Sequence, residues 1–169
     1  MTTSKPKRSV PKLSKLQRDL VQTKPFDSIA IEVLLNLMRT HSLLTRAQTD
    51  LLKEHGLTPA LYNLMRILRG AGRDGLPCSE IGRRMITREP DVTRHIDRLV
   101  KHGYAVRRRI DADRRVVIQS LTPSGRKLLA KLDLPMKRVG EGQLAHMSKR
   151  ELNQLNGLLV KAREQVDEP

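Results

Sequence analysis

The spacing of apolar residues along this chain predicts a mainly helical protein. Asp27 or Ser28 can cap a first long helix, which Gly56 ends. Between them, apolar side chains recur close to the helical period of 3.6 residues, and further apolar residues widen the face beyond one stripe. We therefore expect this helix to bury two sides, and a second chain is one surface that could cover it. The wide face comprises Ala30, Leu34, Leu35, Leu37, Met38, Leu43, Leu44, Ala47, Leu51 and Leu52.

A second helix is predicted in "LTPALYNLMRILRGAG". Thr58 is its expected cap, Pro59 occupies the first helical position, and Gly70 ends it. The following "GRDGLP" is expected to be a loop.

Two helices joined by a tight turn are predicted next. The first runs from about Ser79 to Met85, the turn covers 86–89, and the second helix runs from about Pro90 to Lys101 and ends at Gly103. Apolar residues of the second helix share one face, and polar or basic residues cover its other faces. This order is typical of a helix-turn-helix. The apolar set is Val92, Ile96 and Leu99, and the polar set is Thr93, Arg94, Asp97 and Arg98.

A strongly charged β-hairpin follows. Residues 104–110 and 115–121 have the composition of strands, and "DADR" between them is typical of a turn. A hairpin after a helix-turn-helix is the wing of a winged helix, although a solvated edge ribbon has the same composition. Five arginines lie within nine residues of this hairpin: Arg107, Arg108, Arg109, Arg114 and Arg115.

Two more helices are expected at the carboxyl end. Thr122 caps the first of them, which runs to about Leu132 and bends or breaks at Pro135. The last helix begins near Ser148, which forms a capping box with Glu151.

The charge of the chain predicts a polyanionic partner. Thirty-three Lys and Arg face 18 Asp and Glu, for a formal net charge of +15. A solubilising surface is the alternative explanation. The chain has only three aromatic residues, which argues against binding by stacking of unpaired bases.

Residues 1–25 form a basic arm, expected to be disordered or to hold one short helix around 14–22. The arm could lie along DNA, against a partner subunit, or in solvent.

Several classes of protein are excluded by what the sequence lacks. No apolar run is long enough for a membrane span, and the amino terminus has no apolar core of a secretory signal. Cys78 is the single cysteine, so no disulfide forms within the chain, as in cytoplasmic proteins. The histidines lack metal-ligand spacing, and no phosphate loop, nucleophile elbow or paired carboxylates occur. We expect a cytoplasmic protein that is not an enzyme and has no cofactor.

The helix-turn-helix and hairpin have residues suited to duplex DNA. Thr93, Arg94 and Arg98 can donate to base edges or phosphates in the major groove. Thr87 and Arg88 precede the helix, where backbone amides and the helix dipole favour phosphate. Arg114 at the hairpin tip suits a narrow minor groove. Asp111 and Asp113 are expected to hold Arg109 or Arg115 by charge-assisted hydrogen bonds.

These residues resemble the MarR family of transcriptional regulators. The resemblance lies in "LTPALYNLMRILRGAG", in "SEIGRRMITREPDVTRHIDRLVKHGYAVRRRIDADRR" and in "LTPSGRKLL", and it covers about residues 26–165. The wing motif, Asp111 and then Asp113-Arg114-Arg115, followed by Leu121-Thr122 and Gly125, is its most specific part. Glu89-Pro90-Asp91 replaces the usual run of small hydroxyl residues at the start of the recognition helix. This departure puts the base preference in doubt but not the docking mode.

The resemblance implies a winged helix-turn-helix lobe at 57–122, with dimerisation helices at 26–55 and 123–169. It implies a homodimer that reads a pseudo-palindrome in double-stranded DNA, as a repressor relieved by a small effector. The expected DNA-binding residues are Thr87, Arg88, Pro90, Asp91, Thr93, Arg94, Arg98, Arg109, Asp113, Arg114 and Arg115.

Some members of the family sense ligands in a cleft or oxidants through a cysteine. Met38, His41 and Tyr62 are candidates to line such a cleft, although His41 also suits a dimer interface. Cys78 is a candidate redox residue, or a small buried residue beside Ile81. Two other functions stay open: a non-specific architectural DNA-binding protein, and a basic scaffold for acidic proteins or RNA.

Overall fold

The structure is a computed structural model, and it describes residues 13–87, 91–109 and 116–164. The chain divides into two compact units, Met1–Leu43 and Leu44–Pro169. Each unit is described by itself below.

The first unit contains a short helix and the start of a long one. Helix α1, Lys15–Asp19, begins at a capping box in which Ser14 and Gln17 satisfy each other's backbone amides. Helix α2, Ile29–Lys53, begins beside Ser28, whose hydroxyl accepts a hydrogen bond from the amide of Ile31 at 3.3 Å. Both the short helix within 14–22 and the long helix after Ser28 are confirmed.

The second unit contains the remaining elements. The predicted order of the helices and of the hairpin is confirmed, and a short strand that was not predicted, β1, is added to it. The bounds lie within three residues of those expected except at the end of α6. The elements are α3 (Pro59–Gly70), β1 (Leu76–Pro77), α4 (Cys78–Arg84), α5 (Val92–Lys101), β2 (Ala105–Arg109), β3 (Val117–Leu121), α6 (Pro123–Leu144) and α7 (Lys149–Arg163).

One hydrophobic core joins α3, α4, α5, the sheet and the first half of α6. Helix α3 is central because it buries four apolar side chains completely, and α5 and α6 each bury two more against the same cluster. Burying side chains of this size stabilises the fold by about 1.5–3 kcal/mol each before entropy is counted. The fully buried residues are Leu52 at the end of α2 and Leu61, Leu64, Met65, Leu68, Ile81, Ile96, Leu99, Leu129 and Leu132.

The sheet has three antiparallel strands in the order β1-β3-β2. The hairpin of β2 and β3 was predicted. The prediction of a loop over the whole of "GRDGLP" is wrong for its last two residues, Leu76 and Pro77, which form β1 and pair with Gln119 and Ile118. A two-residue strand carries no alternation that a sequence could show. Gly75 makes the pairing possible, because its φ is +71° and a Cβ there would lie 2.2 Å from the carbonyl oxygen of Gln119.

Helix α6 continues through Pro135, so the predicted end near Leu132 and the break at Pro135 are wrong. Proline removes one backbone hydrogen bond and disfavours a helix interior. Tertiary packing outweighs this cost, because Leu132 before the proline is fully buried and Met136 after it packs on the core. Near the end of α6, the side-chain amide of Gln143 donates to the carbonyl oxygen of Leu44 at 2.8 Å.

Helix α7 begins at the predicted capping box. The hydroxyl of Ser148 accepts from the amide of Glu151, and the carboxylate of Glu151 accepts from the amide and hydroxyl of Ser148. The Ser148 hydroxyl, followed by its amide, lowers the pKa of Glu151 by stabilising the ionised carboxylate. Within the described residues, no helix combines the length and apolar character that crossing a membrane requires.

Candidate nucleic-acid interface

Helices α4 and α5 form the predicted helix-turn-helix. Ile81 of α4 and Ile96 and Leu99 of α5 are fully buried, so both helices are fixed to the core through their apolar sides. The turn between them is held from α3, because the side-chain oxygen of Asn63 accepts a hydrogen bond from the amide of Ile86 at 2.9 Å. The opposite side of α5 is therefore left to solvent in a fixed orientation.

The start of α5 is defined by Asp91. Its carboxylate accepts a hydrogen bond from the amide of Arg94 at 2.9 Å, which makes it the cap of the helix. The helix was expected from Pro90, and its observed first residue is Val92. Thr93, Arg94 and Arg98 are exposed, as an interface requires. The hydroxyl of Thr93 also lies 3.4 Å from the sulfur of Cys78, which therefore faces α5.

The end of α5 is joined closely to the first strand of the wing. The amides of Gly103 and Tyr104 bond back to the carbonyls of Val100 and Leu99, and Gly103 has a φ of +71°. This is a Schellman ending, which needs glycine at the left-handed position. The strand β2 therefore leaves α5 at a defined angle.

The "LTPSG" motif fixes the start of α6 to the same junction. The hydroxyl of Thr122 donates to the carbonyl of Gly103 at 2.7 Å and accepts from the amide of Gly125 at 3.0 Å. Gly125 lies so close to Tyr104 that a Cβ there would be 2.3 Å from the Tyr104 carbonyl oxygen. The sequence pattern that carries the family resemblance thus has a packing role in the structure.

The wing is the ribbon of β2 and β3. Ala105 pairs with Leu121, Arg107 with Gln119, and Arg109 with Val117, so these residues share one face of the ribbon. Ala105 is buried and the next four residues are exposed. Arg107 reaches from this face to α5, where its guanidinium lies 2.6 Å from the carboxylate of Asp97.

The expected site residues fall into three groups. Thr93, Arg94 and Arg98 lie together on the exposed side of α5. Thr87 is exposed in the turn, and Arg109 is exposed at the end of β2. The remaining candidates, Arg88, Pro90, Asp113, Arg114 and Arg115, lie outside the described residues, as do the expected pairings of Asp111 and Asp113.

Sequence reasoning missed the roles of Asn63, Asp97 and Arg107. Arg107 belongs to the predicted charged hairpin, but nothing in the sequence showed that its ion-pair partner, Asp97, lies on α5. A signal existed in Asp97 itself, because a carboxylate among exposed basic residues of such a helix calls for a nearby cation. Asn63 gave no signal, because a lone asparagine on a helix is common on protein surfaces.

The charges of α4 are partly neutralised within the helix. Glu80 pairs with Arg84 at 2.8 Å and also with Arg83. The hydrogen bond from Arg84, followed by the charge of Arg83, lowers the pKa of Glu80, and partial burial opposes this shift. The two arginines thus have a local partner.

The candidate effector residues are spread over two helices. Met38 and His41 are exposed on α2, in the first unit. Tyr62, on α3 in the second unit, is buried in the core, with the guanidinium of Arg66 6.0 Å from the centre of its ring. Cys78 is half-buried and packs against the core. In the described part of the chain, no three His, Cys, Asp or Glu residues are grouped as a metal site.

A helix-turn-helix that packs on α3 and is followed by a two-stranded ribbon defines a winged-helix DNA-binding protein. Residues 57–117 match the family model described as "MarR family". The MarR transcription factor from Planctomyces limnophilus is 36% identical, with 80% of this chain and 98% of that chain covered and a TM-score of 0.62. The chain belongs to the MarR family and is a transcriptional regulator, not an enzyme.

Two further likenesses were found. The regulator YkoM of Bacillus subtilis, an uncharacterized HTH-type protein, is 34% identical over 80 residues, which are 47% of this chain and 51% of YkoM. This chain thus spans about half the length of that relative. The S. aureus MepR–DNA complex shares the fold, with a TM-score of 0.68, 22% identity and coverage of 77% of this chain and 94% of MepR.

Proposed function

We propose that this regulator binds a specific pseudo-palindromic sequence in double-stranded DNA as a homodimer and acts as a repressor. The observation that carries the proposal is the exposed polar and basic side of α5. The helix is fixed at its start by Asp91, at its end by the Schellman turn, and at its back by the core. The backbone of a helix fixed in this way is already ordered, so it can enter the major groove without losing backbone conformational entropy on binding.

In this proposal, Thr93, Arg94 and Arg98 contact base edges or phosphates in the major groove. Thr87 and Arg88 bind phosphate beside the start of α5, with Pro90 and Asp91 shaping that start. Arg114 enters the minor groove. Arg109 and Arg115 contact the DNA backbone, and Asp113 orients one of them. The hydroxyl of Thr93 can donate to DNA only if it gives up its contact with the sulfur of Cys78 or accepts from that thiol.

The homodimer is supported by apolar residues that the chain leaves exposed. On α2, Ile29 is 75% exposed and Met38 62%, and on α7 Leu158 is 58% exposed. Large apolar side chains exposed on a helix are candidates for an interaction site. We propose that residues 26–55 and 123–169 supply the dimer helices and that residues 57–122 form the DNA-binding lobe. Two lobes related by a two-fold axis would read half-sites about one helical turn apart.

We propose that a small effector relieves DNA binding, with Met38, His41 and Tyr62 as the candidate residues for its site. Met38 and His41 are exposed on α2 and are available to such a site, whereas Tyr62 is part of the core and would need to move.

The proposal is tested by selection from a pool of random duplexes at moderate salt, followed by sequencing of the bound fraction. Enrichment of a palindrome with half-sites one turn apart supports a sequence-reading dimer. Repression is tested separately, by placing the enriched sequence between a promoter and a reporter gene.

An architectural DNA-binding protein is the second candidate, favoured by the net charge of +15. It predicts tight binding with no enrichment of any sequence. A scaffold for RNA or acidic proteins predicts weak duplex binding with a shallow dependence on salt.

A further inference from the structure

We propose that Asp97 and Arg107 are a positioning pair that sets the wing against α5, so that both elements can engage one DNA site. This inference rests on the proposed function and adds two residues to it. Neither residue is among the expected DNA contacts. The carboxylate and guanidinium are 2.6 Å apart, and the side chains remain 55% and 37% exposed.

The need for such a pair follows from how the wing is attached. Ala105, the first residue of β2, is buried against the core, and Val106 to Arg109 are exposed. Beyond Ala105, β2 has no buried residue, and the base of the ribbon is held through β3, where Ile118 and Leu121 are buried. Arg107 lies on the same face as Ala105, two residues further out, and its ion pair continues the contact between β2 and α5.

The pair also explains why the exposed side of α5, which we propose contacts phosphates, contains a carboxylate, that of Asp97. Asp97 lies one residue before Arg98 and three after Arg94, on the exposed side of α5. Left alone, its charge would repel the DNA backbone. Its bond to Arg107 neutralises this charge and uses it to hold the wing. The 2.6 Å distance shows that the two charged groups form a direct ion pair.

An alternative role for Arg107 is a plain phosphate contact, and the two roles make opposite predictions for Asp97. If charge alone mattered, Asp97→Asn would strengthen binding to every duplex. If the pair positions the wing, Asp97→Asn weakens binding to the selected duplex although a negative charge has been removed.

The experiment measures dissociation constants of the full chain for a selected duplex and for a scrambled duplex of the same length. The variants are Asp97→Asn, Arg107→Gln, the double variant, and Arg108→Gln as the matched control. Arg108 is the next residue on β2 and lies on the other face of the ribbon. Arg108→Gln therefore removes the same charge as Arg107→Gln but leaves the ion pair intact.

We expect Asp97→Asn and Arg107→Gln each to lower the preference for the selected duplex about two- to fivefold, as the loss of an exposed ion pair allows. The double variant should lose no more than either single one. Arg108→Gln should weaken both duplexes alike and leave the preference unchanged. An unchanged preference in Asp97→Asn, or equal effects of Arg107→Gln and Arg108→Gln, would overturn the inference.

A second measurement separates this inference from the proposed function. Hydrogen exchange of the β2 and β3 amides is followed in the free protein. Faster exchange in Asp97→Asn and Arg107→Gln than in Arg108→Gln supports the positioning role, and equal exchange in all three overturns it. If the wild-type chain selects no sequence, the proposed function fails, and the exchange data still decide whether the pair holds the wing.

Discussion

Arg69 of α3 donates two hydrogen bonds to the carboxylate of Asp133 on α6, at 2.8 and 2.9 Å. This paired geometry is the strongest that an arginine forms with a carboxylate. It joins the helix at the centre of the core to the long helix that leaves it. The bond therefore fixes α6 at the level of Leu132 and Pro135, where a helix break was expected and is absent.

Replacing Asp133 by asparagine should destabilise the fold modestly. Because both side chains are partly exposed, we expect a loss of about 0.5–1 kcal/mol in the free energy of unfolding. The measurement is urea denaturation at neutral pH. Asp50→Asn, at an exposed aspartate of α2, is the control and should change the stability by less than about 0.5 kcal/mol. Equal losses in the two variants would show that the pair has no special role.

The stability conferred by this pair should depend on pH. The hydrogen bonds from Arg69, which outweigh the opposing effect of burial, lower the pKa of Asp133 in the folded chain. A lowered pKa means that the stabilisation is complete above the ordinary carboxyl value of about 4 and is lost as the pH falls through the folded value. The stability difference between wild type and Asp133→Asn should therefore shrink as the pH falls below about 4. A difference that grows on acidification would contradict this account.

Gly125→Ala should destabilise the chain, although alanine favours helices. The new Cβ would lie 2.3 Å from the Tyr104 carbonyl oxygen, so the start of α6 must move away from the junction of α5 and β2. We expect a loss of about 1–3 kcal/mol. Gly140→Ala, in the same helix with open space around it, should be neutral or stabilising by up to about 1 kcal/mol. Thermal unfolding of both variants measures the contrast, and a stable Gly125→Ala would show that the junction is not tightly packed.

Leu158→Asp should prevent the proposed dimer. An aspartate buried without a partner costs several kcal/mol, which weakens self-association by about 100-fold or more. Sedimentation equilibrium should show a dimer for the wild type and a monomer for the variant. Asn153→Asp is the control, because helical spacing places it on the opposite side of α7. If both variants sediment as the wild type does, α7 does not form the interface.

Much of the fold was predictable because its signals are local. Thr58, Thr122 and Ser148 cap helices where the sequence pattern placed them, since an N-cap depends on residues within one turn. The break at Pro135 was wrong because packing of Leu132 and Met136 on the core outweighs a local preference. The strand β1 was missed because two residues show no periodicity.

The candidate site was predictable only in part, for the same physical reason. The exposed side of α5 follows from helical spacing, so Arg94 and Arg98 could be placed from the sequence. The pairing of Asp97 with Arg107 depends on how two elements meet in three dimensions. The same holds for the bond between Asn63 and the turn, which links positions 23 residues apart. Contacts of this kind leave no pattern along a single sequence.

The central claim is that the exposed side of α5 reads DNA sequence, and the dissociation constants of one double variant test it most directly. Arg94→Ala with Arg98→Ala is compared with the wild type on the selected duplex and on a scrambled duplex. Lys149→Ala, at the exposed start of α7, is the control. The account predicts that the double variant loses about 1–3 kcal/mol of preference for each base contact removed, whereas the control keeps its preference. A double variant that weakens both duplexes equally, and so retains the full preference, would contradict the claim.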